Sequence, residues 1–191
     1  MLTEKYGHIE EEHIPIFESL LKKYGYGIVL DLGCGDINPK GKSKLVNILI
    51  EFDIRNSAKK YFSFSPNSLK NTSFIQGDVR KQPFANLSID LILMLGIYGD
   101  CVPYAEGAEY VKKFPDISQS LTEFKKQFKV SQEKLLAETV RVLKKEGNII
   151  VSNSIIRQPI EETIKKFSDY YDITEVYSTD ERYLLLGRVI K

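Results

Sequence analysis

The chain has 191 residues, of which 42% are hydrophobic and 28% charged, and its formal net charge is +1. That is the size and balance of one ordinary folded domain with a sizeable core, and it supplies no global field for nucleic acid or an anionic membrane. Two cysteines, Cys34 and Cys101, cannot build a disulfide framework or a zinc site by themselves. No apolar run approaches the length of a transmembrane helix and the N-terminus has no signal-like apolar core, so a cytoplasmic protein is expected.

Residues 8–24 read as a helix, because Ile9, Ile16 and Leu20, with Phe17, Leu21 and Tyr24, recur at three- and four-residue spacings. Pro15 predicts a split with a new start near it. Gly25 and Gly27 end the helix. The only histidines, His8 and His13, are five apart and share no helical face, so a solvated or capping role is expected and no metal site.

Ile28 to Leu30 is a short apolar run that suits a strand covered on both faces. Asp31 sits at its mouth. Gly33 and Gly35 then let the backbone turn with positive φ and approach a ligand closely. The loop that follows ends in Gly41-Lys42-Ser43, like a phosphate-binding loop. Five residues separate Gly35 from Gly41 where that motif needs four, so a nucleotide hydrolase is a minor alternative. The lysines at 40, 42 and 44 are read as a solvated loop, and Pro39 with Gly41 predicts that any helix here is short or delayed.

Val46 to Ile50 leads to Glu51-Phe52-Asp53. Asp53 lies 22 residues after Asp31, near the spacing at which a Rossmann-type unit places an acid on a ribose hydroxyl, with Glu51 as its competitor. Residues 54–72, rich in Ser, Asn and Lys with Pro66, are a poor pattern for a long helix. Ser73 to Val79 and Ile89 to Gly96 read as the third and fourth strands; Asp90, at the start of the latter, is expected to be structural. Residues 97–130 form an aromatic and basic insert, predicted to be a helical cap or lid. Ser131 to Lys145 is the clearest helix, with Gly147 as its stop. Asn148 to Ser152 is a fifth strand, Pro159 to Tyr170 a helix, and 171–177 with 182–188 a closing pair of strands. No repeat or linker interrupts residues 1–191, so a single domain is expected.

Taken together, these stretches resemble the class I S-adenosylmethionine (SAM)-dependent methyltransferases. The matching pieces are Leu30-Asp-Leu-Gly-Cys-Gly-Asp36, Asp53, Gln76-Gly-Asp-Val79 with Pro83-Phe84, Ser88-Ile-Asp-Leu-Ile-Leu93 and Arg141-Val-Leu-Lys-Lys-Glu-Gly147. They span about residues 26–153 in the family's order. The resemblance implies an α/β fold: a doubly wound, mostly parallel seven-stranded sheet with helices on both faces and the last strand antiparallel. It implies SAM as cofactor, S-adenosylhomocysteine (SAH) as product, and no metal. Gly33 and Gly35 would face the cofactor through their backbone, with Cys34 between them. Asp31 would order the amino acid end. Asp53, with Ile54 beside it, would take the ribose hydroxyls. Asp78 and Val79 would take the adenine, and Leu95 and Gly96 would lie near the methionine part. Tyr98 is the candidate nearest the transferred methyl.

A sulfonium methyl is already activated, so the protein's task is to position an acceptor and, where needed, take its proton. The acceptor is not legible, with a small molecule slightly favoured. The family's Asn-Pro-Pro-Tyr tetrapeptide is missing after the fourth strand, which lowers the odds of adenine or glutamine methylation. Two alternatives are a SAM-binding module without transfer activity and an aminopropyl transferase, for which Asp100 and Glu106 could hold a polyamine.

Overall fold

The computed structural model describes residues 6, 9–35, 39–55, 69–97, 117–155 and 159–190, with side chains from residue 126 onward in the long third helix. Within them the strands are β1 (Ile28–Leu32), β2 (Ile48–Asp53), β3 (Thr72–Gln76), β4 (Ile89–Leu95), β5 (Leu143–Ser154), β6 (Tyr171–Ser178) and β7 (Arg182–Val189). They form one seven-stranded sheet in the order β3-β2-β1-β4-β5-β7-β6. The first five strands pair in parallel, and β7 is antiparallel to both β5 and β6. This is the doubly wound sheet expected from the sequence. β1 has β2 on one side and β4 on the other, so the strand order reverses there, and a crevice opens at the carboxyl ends.

The two-residue period of the strands sorts side chains into two cores. Val29, Leu49, Leu91 and Leu93 pack with Phe17, Leu20 and Leu21 of α1 (Ile14–Tyr24). Leu30, Phe52, Ile92 and Met94 pack on the other face with Leu135, Leu136 and Val142 of α3 (Ile117–Val142), and Phe167 of α4 (Ile160–Phe167) joins them. Each such side chain, fully buried, contributes roughly 1.5–3 kcal/mol. Between β1 and β2 lies α2 (Lys40–Ser43), a single turn, as Pro39 and Gly41 foretold.

Several boundaries differ from the sequence reading. The first helix starts at Ile14 after a 3-10 turn over Glu11–His13, with Pro15 in its first turn, where a missing N–H costs nothing. His13 is 4% exposed, so it is not solvated; it stands at the N-cap position of α1, without a side-chain cap hydrogen bond; His8 lies outside the described residues. The clearest helix does not start at Ser131: α3 is continuous from Ile117, and residues 117–130 of the insert belong to it. Nor does it reach Lys145. It ends at Val142, and β5 starts at once, because Leu143 pairs with Ile89 of β4. Gly147 therefore lies within β5, where a Cβ would sit 2.9 Å from the Lys144 carbonyl oxygen. Asp90 is structural, as expected. It accepts the Ile28 N–H at 2.8 Å and the Lys144 ammonium at 2.8 Å, at the end of the sheet opposite the crevice.

Candidate functional site

The glycine turn follows β1, with Gly33 at φ 67° and Gly35 at φ 63°, a region that disfavours any residue with a Cβ. The two glycines serve different ends. The Gly33 N–H donates to the Phe52 carbonyl at 2.7 Å, and a Cβ there would lie 2.2 Å from Ile97 Cδ1, so this glycine is required by packing. Among the described residues, a Cβ on Gly35 would meet Arg55 Nη2 at 3.4 Å and the Gly33 carbonyl at 3.9 Å, and nothing else within 4 Å. Gly35 thus leaves room for a ligand against the backbone.

Two acids stand at the neighbouring strand ends, and each is clasped by an arginine two residues on. Asp53 Oδ2 accepts the Gly35 N–H at 2.8 Å, while Oδ1 accepts the Arg55 N–H at 2.8 Å and Arg55 Nε at 3.4 Å. Its side chain is 4% exposed, that of Arg55 65%. Gly77 N–H donates to the Asp53 carbonyl at 2.9 Å, which ties the end of β3 to the end of β2. Asp78 then accepts the Arg80 N–H at 2.9 Å, Nε at 3.0 Å and Nη2 at 2.7 Å. Hydrogen bonds from Arg80 hold its carboxyl below the usual carboxylate range, against an opposing push from burial. Arg80 Nη1 also donates to Ser131 Oγ on α3 at 3.2 Å. Both acids are legible in the sequence as strand-end carboxylates; the two arginines are not part of that pattern. Their signal was available as the repeated pattern Asp53-Ile-Arg55 and Asp78-Val-Arg80.

The lysine loop is not solvated at its centre. Lys42 is 1% exposed and its ammonium bonds to Asp31 Oδ2, with Glu51 Oε1 at 3.0 Å. Asp31 and Glu51 are register partners on adjacent parallel strands. The alternation that buries Val29 and Leu49 carries both acids onto the same face one step further along. Asp31 is 1% exposed and Glu51 0%. Among the described residues Asp31 Oδ1 and both Glu51 oxygens accept no hydrogen bond; Lys42 meets Glu51 as an ion pair. Burial pulls Lys42 down, but Asp31 and Glu51 more than offset it and the ammonium stays charged. Burial pushes Glu51 up to about 7, opposed by Lys42 and reinforced by Asp31. Burial also pushes the Cys34 thiol up, with the Glu51 and Asp31 charges adding to it, so Cys34 is a protonated thiol and not a nucleophile.

The remaining expected site residues are distributed as follows. Leu95 is buried at the end of β4, and Gly96 turns at φ 82° with its N–H on the Ser152 carbonyl at 2.7 Å. Val79 is buried in the core, whereas Ile54 is 46% exposed beside Asp53. Tyr98, Asp100 and Glu106 lie outside the described residues. Among the described residues no group of three His, Cys, Asp or Glu side chains could hold a metal ion. Among them also, no helix is long and apolar enough to cross a membrane.

No protein-family model and no curated protein matches the sequence. Solved structures do match in shape. The N-methyltransferase NodS from Bradyrhizobium japonicum WM9, solved with SAH, superposes with a TM-score of 0.68 at 13% identity, over 99% of this chain and 91% of that one. A SAM-dependent methyltransferase from Aquifex aeolicus gives 0.64 at 15% identity, over 98% and 92%. The [4+2]-cyclase SpnF gives 0.66 at 10% identity, over 91% and 80%. A cyclase among the neighbours marks what shape alone conveys, since one fold hosts several chemistries. The sheet order, the glycine turn at its reversal point and these superpositions agree: the chain has the fold of the class I SAM-dependent methyltransferases.

Proposed function

We propose that the protein is a SAM-dependent methyltransferase acting on a small-molecule acceptor. The observation that carries this reading is the joint built by Gly35 and Asp53. An open glycine backbone at the sheet's reversal point donates to a buried carboxylate at the end of the next strand. That cradle suits a ribose. An ionised carboxylate has about four acceptor positions, and three donors occupy Asp53, so one ribose hydroxyl fits directly. A second fits when the exposed Arg55 guanidinium, at 3.4 Å, swings away. SAM would supply a methyl group already activated on sulfur. The chain's own residues bind and orient: Gly33, Cys34 and Gly35 along the turn, Asp53 and Ile54 at the ribose, Asp78 and Val79 at the base, Leu95 and Gly96 at the methionine part. Tyr98, two residues past Gly96, is the candidate to contact the acceptor. The near-neutral charge of the chain favours a small acceptor over a nucleic acid.

Asp31 enters this reading differently from the simple expectation. Its carboxylate is held by Lys42, so its role is to shape the turn from below unless that lysine is displaced. The test is calorimetric titration of the purified protein with SAM and SAH, followed by transfer of labelled methyl into fractionated extract. Micromolar binding with label in the small-molecule fraction is the expected result. Asp53→Ala should weaken SAM by about tenfold or more, the worth of a charge-assisted hydrogen bond. Folded protein that binds neither ligand at millimolar concentration overturns the reading; binding without label transfer leaves a SAM-binding module.

A further inference from the structure

The buried cluster beneath the glycine turn has an uneven charge count. Two carboxylates face one ammonium: Asp31 on β1, Glu51 on β2 and Lys42 on α2. Among the described residues the groups around Glu51 are Asp31, Lys42 and the Cys34 thiol of the turn itself. On the β3 side its register partner is Phe74, which is uncharged. With both acids ionised the cluster carries one excess negative charge. All three side chains are 1% exposed or less, and salt screens such a charge far less than a surface one. Asp31 and Glu51 each stand two residues before a proposed cofactor contact, Gly33 and Asp53.

SAM and SAH differ by one methyl group and one positive charge. We propose that the Asp31–Lys42–Glu51 cluster is a charge discriminator, whose excess negative charge beneath the glycine turn favours the sulfonium cation of SAM over the neutral thioether of SAH. A methyltransferase must release SAH in the presence of SAM, and a field that recognises the sulfonium charge separates the two without contacting the methyl. Asp31 Oδ1 and Glu51 Oε2 accept no hydrogen bond from the described residues, and a carboxylate saturated by local donors would project less field. This inference rests on the SAM reading above.

The test is the ratio of SAH to SAM dissociation constants, measured by calorimetry from pH 6 to pH 8.5 for the wild type and for Glu51→Gln. The ratio cancels every titration that the two ligands share, including their own amino and carboxyl groups. A unit charge within about 10 Å, at an effective dielectric constant near 20, changes an affinity by about tenfold. The wild-type ratio should therefore rise by about tenfold across this range as Glu51 ionises, and the Glu51→Gln ratio should stay flat at the low-pH value. A wild-type ratio no higher than that of Glu51→Gln at pH 8.5 overturns the inference while SAM binding stands. So does a Glu51→Gln ratio that rises as the wild type does, because the titrating group then lies elsewhere. Binding of neither ligand overturns both the inference and the cofactor reading.

Discussion

Two regions bury polar groups in opposite ways. On the α3 and α4 side the buried polar groups are neutral, and two pairs of hydroxyls bond to each other. Tyr171 donates to Thr139 Oγ1 at 2.7 Å, which in turn donates to the Leu136 carbonyl at 2.7 Å. Tyr183 and Thr163 share a hydrogen bond of 2.8 Å. Under the glycine turn, three charged side chains are enclosed, and three carboxylate oxygens accept no hydrogen bond from the described residues. The hydroxyl pairs are satisfied as folding requires, and the polar atoms on that side without a partner among the described residues, Gln82 Oε1 and Asn153 Nδ2, are neutral. The charged arrangement is expensive: a buried ion pair is weak support for stability, and an incompletely partnered one weaker still. A fold holds such a cluster where its field has a use, and this one lies against the proposed cofactor turn.

The contrast can be broken most sharply at Lys42. Lys42→Met leaves two buried acids facing each other without a cation and should cost about 3–5 kcal/mol in urea unfolding. Adding Asp31→Asn and Glu51→Gln should recover most of that loss, since an uncharged cluster has no pair to break. If the triple variant is no more stable than Lys42→Met, the cost lies in packing and not in charge.

The next effect is one of pH. The Glu51 carboxyl is raised in the folded state to about 7 from 4.5, so between those values the native protein holds a proton that the unfolded chain has lost. Stability contributed by this proton is complete below about pH 4.5 and declines as pH rises to about 7. Glu51→Gln should remove that decline, so the stability difference between variant and wild type should grow in the variant's favour toward pH 7 and level off above it. Chemical denaturation at half-unit pH steps measures it; a difference constant with pH contradicts the assignment. On the other side of the sheet, Tyr171→Phe removes one neutral hydrogen bond and should cost only about 1 kcal/mol, with no pH dependence near neutrality. Smallest of all, Arg55→Ala removes an exposed guanidinium held at 3.4 Å from Asp53 and leaves the backbone N–H bonds to that carboxylate, so it should shift stability by at most about 0.5 kcal/mol in the same assay.

The legible parts of the molecule were those written in local pattern. Apolar runs gave the strands, and the distance from Asp31 to Asp53 gave the acidic end of β2. What stayed hidden depended on register or on partners far along the chain. Lys42 looks like its neighbours Lys40 and Lys44; its burial is decided by two acids that become neighbours only when β1 and β2 pair as Asp31 with Glu51. Arg55 and Arg80 were hidden for a different reason, since a turn residue two positions past an acid is free to point anywhere until the turn is built. Ser131 misled in the opposite direction. It resembles a helix start, yet it is buried within α3, where its hydroxyl receives Arg80.

The bond from Gly35 to Asp53 also makes the turn observable. An amide proton held 2.8 Å (donor to acceptor) from a carboxylate is strongly deshielded, and it moves when that carboxylate takes a new partner. With 12 glycines in the chain, a sample labelled at glycine nitrogen gives a spectrum of at most 12 amide signals. One resonance, displaced downfield and assignable by Gly35→Ala, then reports whether a compound has reached the ribose position. That allows a search through candidate ligands and acceptors to be read from the protein itself, before any turnover is detected.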